Sequence, residues 1–296
     1  MRRALIPDGG KSAHTGEESS RWALLPGLCC QAAGGDPQWA DNVAAAWFLY
    51  YVAADLMDTV EDRDEPDTWW ADLGPGFALN VASGLFFSAS QVLNHLHNRP
   101  ETQAAASAIA ASFNHSFLTM CSGQHADLIQ PEPTLERYWE TVAEKSGTFF
   151  ALACEAGAHL ATVNEEKLKR FAEFGQNLGI IVQILDDLEE FRTPGNTDGL
   201  PELSGLGRSL PVVYALEVYP LETRIRLRDC LRESRHDPQA ARQAWDLIDG
   251  SGAGSYMLVE LERHRSMAFA ALYSAQPLAP AGERLASLIP KFDFQG

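Results

Sequence analysis

The stretch Phe174-Gly175-Gln176-Asn177-Leu178-Gly179-Ile180-Ile181-Val182-Gln183-Ile184-Leu185-Asp186-Asp187-Leu188-Glu189-Glu190 decides the fold class. On a helix advancing ~100° per residue, Gln183, Asp186, Asp187 and Glu190 share an arc of roughly 100°. Ile181, Ile184, Leu185 and Leu188 fall on the opposite side, and Phe171, Phe174, Leu178, Ile180 and Val182 extend the apolar surface upstream. A helix this apolar belongs at the centre of a helical protein, with its acidic stripe turned into a cavity rather than open water. Asn164 is a good N-cap for it, and Glu165 and Glu166 in its first turn suit the helix dipole, so the predicted span runs to about Phe191.

The same punctuation recurs outward from this helix. One long helix is expected after Gly34-Gly35-Asp36-Pro37, through Trp47 and Tyr50 to about Glu61. A second lies between Gly74-Pro75-Gly76 and Asn98-Arg99-Pro100, and a third from about Glu101 to Cys121. Thr134 caps a helix towards Ala161, and 193–207, rich in glycine and proline, reads as a loop. Further helices are expected near Arg208, after Pro220, at Asp237-Pro238, after Ser255 and near Ala281. Strand signals are nearly absent. The expected architecture is all-α, a single-domain bundle of about ten helices spanning 21–296, behind a flexible N-terminal segment 1–20.

A second acidic stripe ends the first long helix. In Asp55-Leu56-Met57-Asp58-Thr59-Val60-Glu61-Asp62, the side chains of Asp55, Asp58 and Asp62 fall within an arc of roughly 60°. Like charges at this spacing repel and give a helix nothing structurally. One such stripe reads equally well as solvated surface; two, each near the end of an unusually apolar helix, favour a metal. Hard oxygen ligands suit magnesium, which keeps several waters and completes its shell with phosphate oxygens.

Charge points the same way. The 296-residue chain has a formal net charge of −17, which repels nucleic-acid backbone and excludes that class of partner. It would repel an anionic small substrate too, unless metal ions reverse the local sign. The five cysteines have no C-x-x-C spacing and read as free core thiols. No signal peptide is read at the N-terminus and no apolar run approaches the ~20 residues of a membrane span, so a cytoplasmic location is expected.

Taken together, these residues resemble the polyprenyl synthetase family of trans-isoprenyl diphosphate synthases, within the class I isoprenoid enzymes. Phe174 to Gly179 followed by Val182 to Glu190 is similar to the family's second aspartate-rich helix, with Glu190 where a third Asp is usual. Gly207-Arg208-Ser209-Leu210-Pro211 resembles its Gly-Lys-x-Thr-Leu-Pro element, Gly123-Gln124-His125-Ala126-Asp127-Leu128 its Gly-Gln-x-x-Asp-Leu, and Lys145-Ser146-Gly147 its Lys-Thr-Gly. The resemblance implies a helical fold around a central cavity and two or three magnesium ions bridging an allylic prenyl diphosphate. Asp55, Asp58, Asp62, Asp186, Asp187 and Glu190 would supply the metal ligands. Gln124, Gln183, Lys145 and Arg208 would contact substrate, with Lys145 and Arg208 placed on the leaving oxygens. It also implies a homodimer.

Two departures bear on the reaction. Aligned on Asp55 and Asp58, the first motif lacks its leading Asp; shifted one turn, Asp58-Thr59-Val60-Glu61-Asp62 resembles the first motif of squalene synthases. Glu18-Ser19-Ser20-Arg21-Trp22 stands where the family has Gly-Lys-Arg, and only Arg63 follows the acidic motif, so the site for isopentenyl diphosphate is altered. Capture of the cation by a second prenyl diphosphate gives a prenyltransferase. Intramolecular capture gives a terpene cyclase, squalene-synthase-like coupling is a further route, and a peptide or small aromatic acceptor stays open. A non-catalytic subunit would have lost the acidic stripes, and both persist. Trp47, Phe48, Tyr50, Tyr51, Phe149 and Phe150 read as either an aromatic cation pocket or plain core. Gly10-Lys11-Ser12 lacks the strand and earlier glycine of a phosphate loop, and His95, His97, His115, His125 and His159 have no ligand spacing.

Overall fold

The computed structural model describes residues 22–61, 70–129, 134–192, 208–234 and 236–291. Asp62, Arg63, the loop 193–207 and the segment 1–20 lie outside them. The helices are α1 (Leu25–Ala33), α2 (Asp41–Glu61), α3 (Pro75–Asn94), α4 (Pro100–Ile129), α5 (Leu135–Val142) and α6 (Thr148–His159). They continue with α7 (Glu165–Arg192), α8 (Leu210–Val218), α9 (Leu221–Glu233), α10 (Pro238–Gly250), α11 (Ala253–Ser274) and α12 (Ala281–Leu288). Short 3-10 turns precede α2 and α3 and follow α3, and no strand occurs among the described residues. The all-α expectation holds.

Capping chemistry sets several of these boundaries. Thr134 Oγ1 accepts from the Arg137 N–H at 3.2 Å, Asn164 Oδ1 from the Lys167 N–H at 3.0 Å, and Asp237 Oδ1 from the Gln239 N–H at 2.8 Å. Gly34 ends α1 at φ 109°, a left-handed cap whose N–H returns to the carbonyls of Cys30 and Gln31. One expectation is corrected: helix α4 runs on to Ile129 rather than ending near Cys121, and it passes close to Glu144 at Gly123, where a Cβ would lie 3.0 Å from that of Glu144. Pro26 occupies the opening turn of α1, where no N–H is needed.

By packing, the described residues form two compact units. The first comprises residues up to Leu118, Thr148–Gln176 and from Ala268 on; the second comprises Thr119–Gly147 and Asn177–Met267. In the first, α2 buries Ala53 and Leu56 against Trp70 and against Ala78 and Ala82 of α3. Trp47 lies beside Phe149, with ring centroids 4.4 Å apart, and donates its indole N–H to the Phe149 carbonyl at 2.9 Å. Of the six aromatic candidates, Trp47, Tyr50, Tyr51, Phe149 and Phe150 are buried in this core and Phe48 is half-buried. In the second unit, Phe191, Val212, Leu216, Leu227, Ala244 and Ile248 join α7 to α8, α9 and α10.

The stretches Pro37–Glu61 and Pro75–Asn98 each contain a window of mean hydropathy 1.3, long and apolar enough to cross a membrane by length and composition. Neither is an unbroken apolar run: Asp41, Asn42, Asp55 and Asp58 punctuate the first, and Asn80, Ser83, Ser88, Ser90 and Gln91 the second. In α2 much of this apolarity is spent on the core just described.

Candidate functional site

Within the second unit, three separated sequence elements meet around one carboxylate. Asp187, on α7, is only 5% exposed and accepts three hydrogen bonds. The Tyr138 hydroxyl of α5 donates to Oδ2 at 2.8 Å, and the Leu210 backbone N–H donates to the same oxygen at 2.7 Å. The Gln183 amide nitrogen donates to Oδ1 at 2.9 Å. Gln183 is oriented from its other end too, its Oε1 accepting from the Ser146 hydroxyl at 3.0 Å. Burial pushes the Asp187 carboxyl up from its ordinary value, while the Leu210 N–H, the Gln183 amide and the Tyr138 hydroxyl pull it back. Burial, then the Asp187 charge, hold the Tyr138 hydroxyl well above its usual range.

Lys145 and Ser146 belong to a π-helical turn, Ala143–Gly147, between α5 and α6. Such turns widen the backbone spiral and aim side chains that a regular helix would not. The turn lies close against α7: a Cβ on Gly179 would fall 2.1 Å from the Ser146 carbonyl oxygen. Only a residue without a side chain fits there, and the bare approach brings Ser146 within reach of Gln183 one turn further on. On the other side, Gly123 of α4 sits over Glu144 and Lys145, which puts Gln124 beside the turn. Both polar atoms of the Gln124 amide are buried and have no hydrogen-bond partner among the described residues. Arg208, two residues ahead of α8, pairs with Asp127 of α4 at 3.3 Å and remains 42% exposed.

The structure thus joins Gln183, Asp187 and the first turn of α8 directly, and joins Arg208 to Asp127. Asp186 is half-buried and Glu190 exposed, both further along the stripe of α7. Asp55 and Asp58 are half-buried in the last turns of α2, in the first unit, and Asp62 lies outside the described residues. Among the described residues no three His, Cys, Asp or Glu side chains converge into a ready-made metal cage. Carboxylates are hard oxygen ligands, the chemistry that magnesium takes.

A family model described as polyprenyl synthetase matches residues 38–248, most of the chain and every element just described except the ends. The chain belongs to the polyprenyl synthetase family. Among relatives it is 30% identical over 154 residues to a tryptophan prenyltransferase of Bacillus subtilis subsp. natto, a match covering 52% of this chain and 46% of that protein. It is also 30% identical over 204 residues to a geranylgeranyl diphosphate synthase of Mycobacterium tuberculosis, covering 66% of this chain and 57% of that protein. The chain thus spans about half the length of these two relatives. A solved polyprenyl synthetase from Streptomyces coelicolor A3(2) shares the fold, with a TM-score of 0.80 at 24% identity over 97% of this chain and 88% of that one.

Sequence reasoning missed Tyr138, Ser146 and Asp127 as parts of the site. Tyr138 shares the buried face of α5 with Val142, and its hydroxyl was the available signal: a buried phenol needs a partner. Asp127 stands inside the Gly-Gln-x-x-Asp-Leu element, but its pairing with Arg208 depends on the tertiary fold.

Proposed function

We propose that the chain is a magnesium-dependent prenyltransferase of the cytoplasm that ionises an allylic prenyl diphosphate and extends it, a polyprenyl diphosphate synthase. The observation that carries this reading is the convergence on Asp187, which ties Gln183, the Lys145–Ser146 turn (through Gln183) and the helix start beside Arg208 into one assembly. Asp58 and Asp62, with Asp55 in support, and Asp186 and Glu190 are the carboxylates that would hold magnesium; Asp187 already carries three protein donors and is left out of this set. When bound, two or three such ions would neutralise the charge that develops on the departing diphosphate.

The chain's own residues act around that event. Arg208 and Lys145 donate charge-assisted hydrogen bonds to diphosphate oxygens, which favours C–O cleavage as negative charge accumulates on the leaving group. Arg208 is held in reserve by Asp127, an exposed pair of the weak kind that a diphosphate outcompetes. Gln183, fixed at both ends of its amide, presents a preset dipole that need not reorganise during reaction. Gln124 offers an amide whose polar atoms are already desolvated.

A second reading concerns the acceptor. The altered Gly-Lys-Arg position and the similarity to a tryptophan prenyltransferase favour an aromatic acceptor in place of isopentenyl diphosphate. Geranyl, farnesyl and geranylgeranyl diphosphates with magnesium, offered with isopentenyl diphosphate, with tryptophan or tryptophan peptide, or alone, separate the routes. Longer diphosphates support synthase activity, prenylated indole supports the second reading, and hydrocarbons from one substrate support cyclisation.

We also propose that two copies pair through α3 and α4. Between Leu73 and Ala126 only Arg99 and Glu101 are charged, in a chain of net charge −17. Phe86 and Phe117 bring the two helices together at 5.8 Å, while Phe87 is 75% exposed and Leu118 71%. An uncharged face lets two acidic copies meet without repulsion. Sedimentation is expected to give a dimer that Phe87→Glu splits; a monomeric wild type would contradict the pairing.

A further inference from the structure

We infer that Tyr138 is a positioning residue for the proposed reaction, acting through Asp187 on Gln183 and on the start of α8. The inference rests on the prenyltransferase reading for what is positioned, and on geometry for the positioning itself.

An ionised carboxylate has about four sites for donors, two on each oxygen. At Asp187, Oδ2 takes the Tyr138 hydroxyl and the Leu210 N–H, and Oδ1 takes the Gln183 amide. Two of these donors belong to groups whose direction matters. Leu210 opens α8, whose N-cap position, Ser209, gives no side-chain cap. The Asp187 carboxylate takes over that role from another helix, satisfying an N–H of the first turn and meeting the positive end of the helix dipole. Arg208 stands two residues before this anchored amide, so the anchor sets where its guanidinium starts. Gln183 is likewise fixed, by Asp187 on nitrogen and Ser146 on oxygen.

Tyr138 is the donor of the three with no position of its own to hold near substrate. Buried at 7% exposure, it comes from α5, 49 residues away in sequence. Its hydroxyl closes the remaining side of Oδ2 and selects the carboxylate rotamer that serves the other two. Asp187 is thus a hub of protein structure, whereas Asp186 and Glu190 on the same stripe would hold the ions.

The test is a double-variant cycle with Tyr138→Phe, Asp187→Asn and their combination, read by two methods. With geranyl or farnesyl diphosphate and magnesium, Tyr138→Phe is expected to lower kcat about ten- to a hundredfold, the range for a lost hydrogen bond to a charged group. KM and the magnesium concentration for half-maximal rate should change less than about threefold, and the double variant should be no worse than Asp187→Asn. Separately, amide exchange at Leu210 should accelerate in both single variants by more than exchange in α10 does. Additive losses, an increased magnesium requirement in Tyr138→Phe, or unchanged exchange at Leu210 would each overturn the inference. Absence of turnover in wild type would refute the prenyltransferase reading instead, and the exchange at Leu210 would then decide the positioning alone.

Discussion

Replacing Gly179 by alanine tests the contact on which the site geometry depends. A Cβ at this position would lie 2.1 Å from the Ser146 carbonyl oxygen, 2.7 Å from its carbonyl carbon and 3.1 Å from Gly147 Cα. All three are backbone atoms, so no side-chain rotation relieves the overlap. An ordinary carbon–oxygen contact needs a little over 3 Å, so the π-turn and α7 must separate by about 1 Å. Alanine gains about 0.8–1.0 kcal/mol of helix propensity over glycine, but overpacking of this kind costs about 1–3 kcal/mol or more. With a rigid backbone overlap the cost wins, and the expected net loss is about 1–2 kcal/mol, or about 2–8 °C in melting temperature. Activity should fall further than stability, since a 1 Å displacement of Ser146 breaks its 3.0 Å bond to Gln183, and shifts of that size can cost about a hundredfold in rate. Gly254→Ala is the control, because a Cβ there meets nothing within 4 Å near the start of α11; it should be neutral or slightly stabilising. The assay is thermal denaturation alongside diphosphate release. A Gly179→Ala protein as stable and active as wild type would refute the packing argument.

Two further outcomes follow from burial. Under native conditions iodoacetamide should label Cys121 first, since it is the exposed thiol among the five; Cys29, Cys30 and Cys154 are fully shielded, and burial pushes Cys30 up to about 12. Peptide mapping that finds Cys30 alkylated as fast as Cys121 would contradict this core. His264, 8% exposed and 2.8 Å from Asn177 Oδ1, is lowered from its ordinary value by burial, with Glu260 opposing and Arg263 assisting. Below about pH 6.5 the unfolded chain takes up a proton that the folded one declines, so stability should fall as pH drops through that value. His264→Gln should flatten the fall between pH 7.5 and 5.5, and parallel melting curves for the two proteins would count against it.

Much of the fold could be read because its helices announce themselves locally. Thr134, Asn164 and Asp237 are short polar residues followed at once by helical periodicity, and each caps as expected. The apolar body of α7 and its acidic stripe follow from spacing alone. What could not be read was set at a distance. The π-turn at Ala143–Gly147 carries no mark of its own, since the insertion is fixed by the close approach to Gly179. The helix expected to end near Cys121 runs on through Gly123, where α4 passes near Glu144. Spacing assigned Asp187 to the same stripe as Asp186 and Glu190, yet its three donors come from α5, α7 and the start of α8, which periodicity along one helix does not report.

The most direct test of the central claim is magnesium-dependent diphosphate release from an allylic prenyl diphosphate by wild type and by Asp186→Ala. Asp186 is chosen because it lies on the acidic stripe of α7 beside, but outside, the three-donor assembly at Asp187. The account predicts release by wild type, abolished by chelation and reduced by several orders of magnitude in the variant, with both proteins equally folded. Equal rates in the two, or no release from any allylic diphosphate, would contradict it.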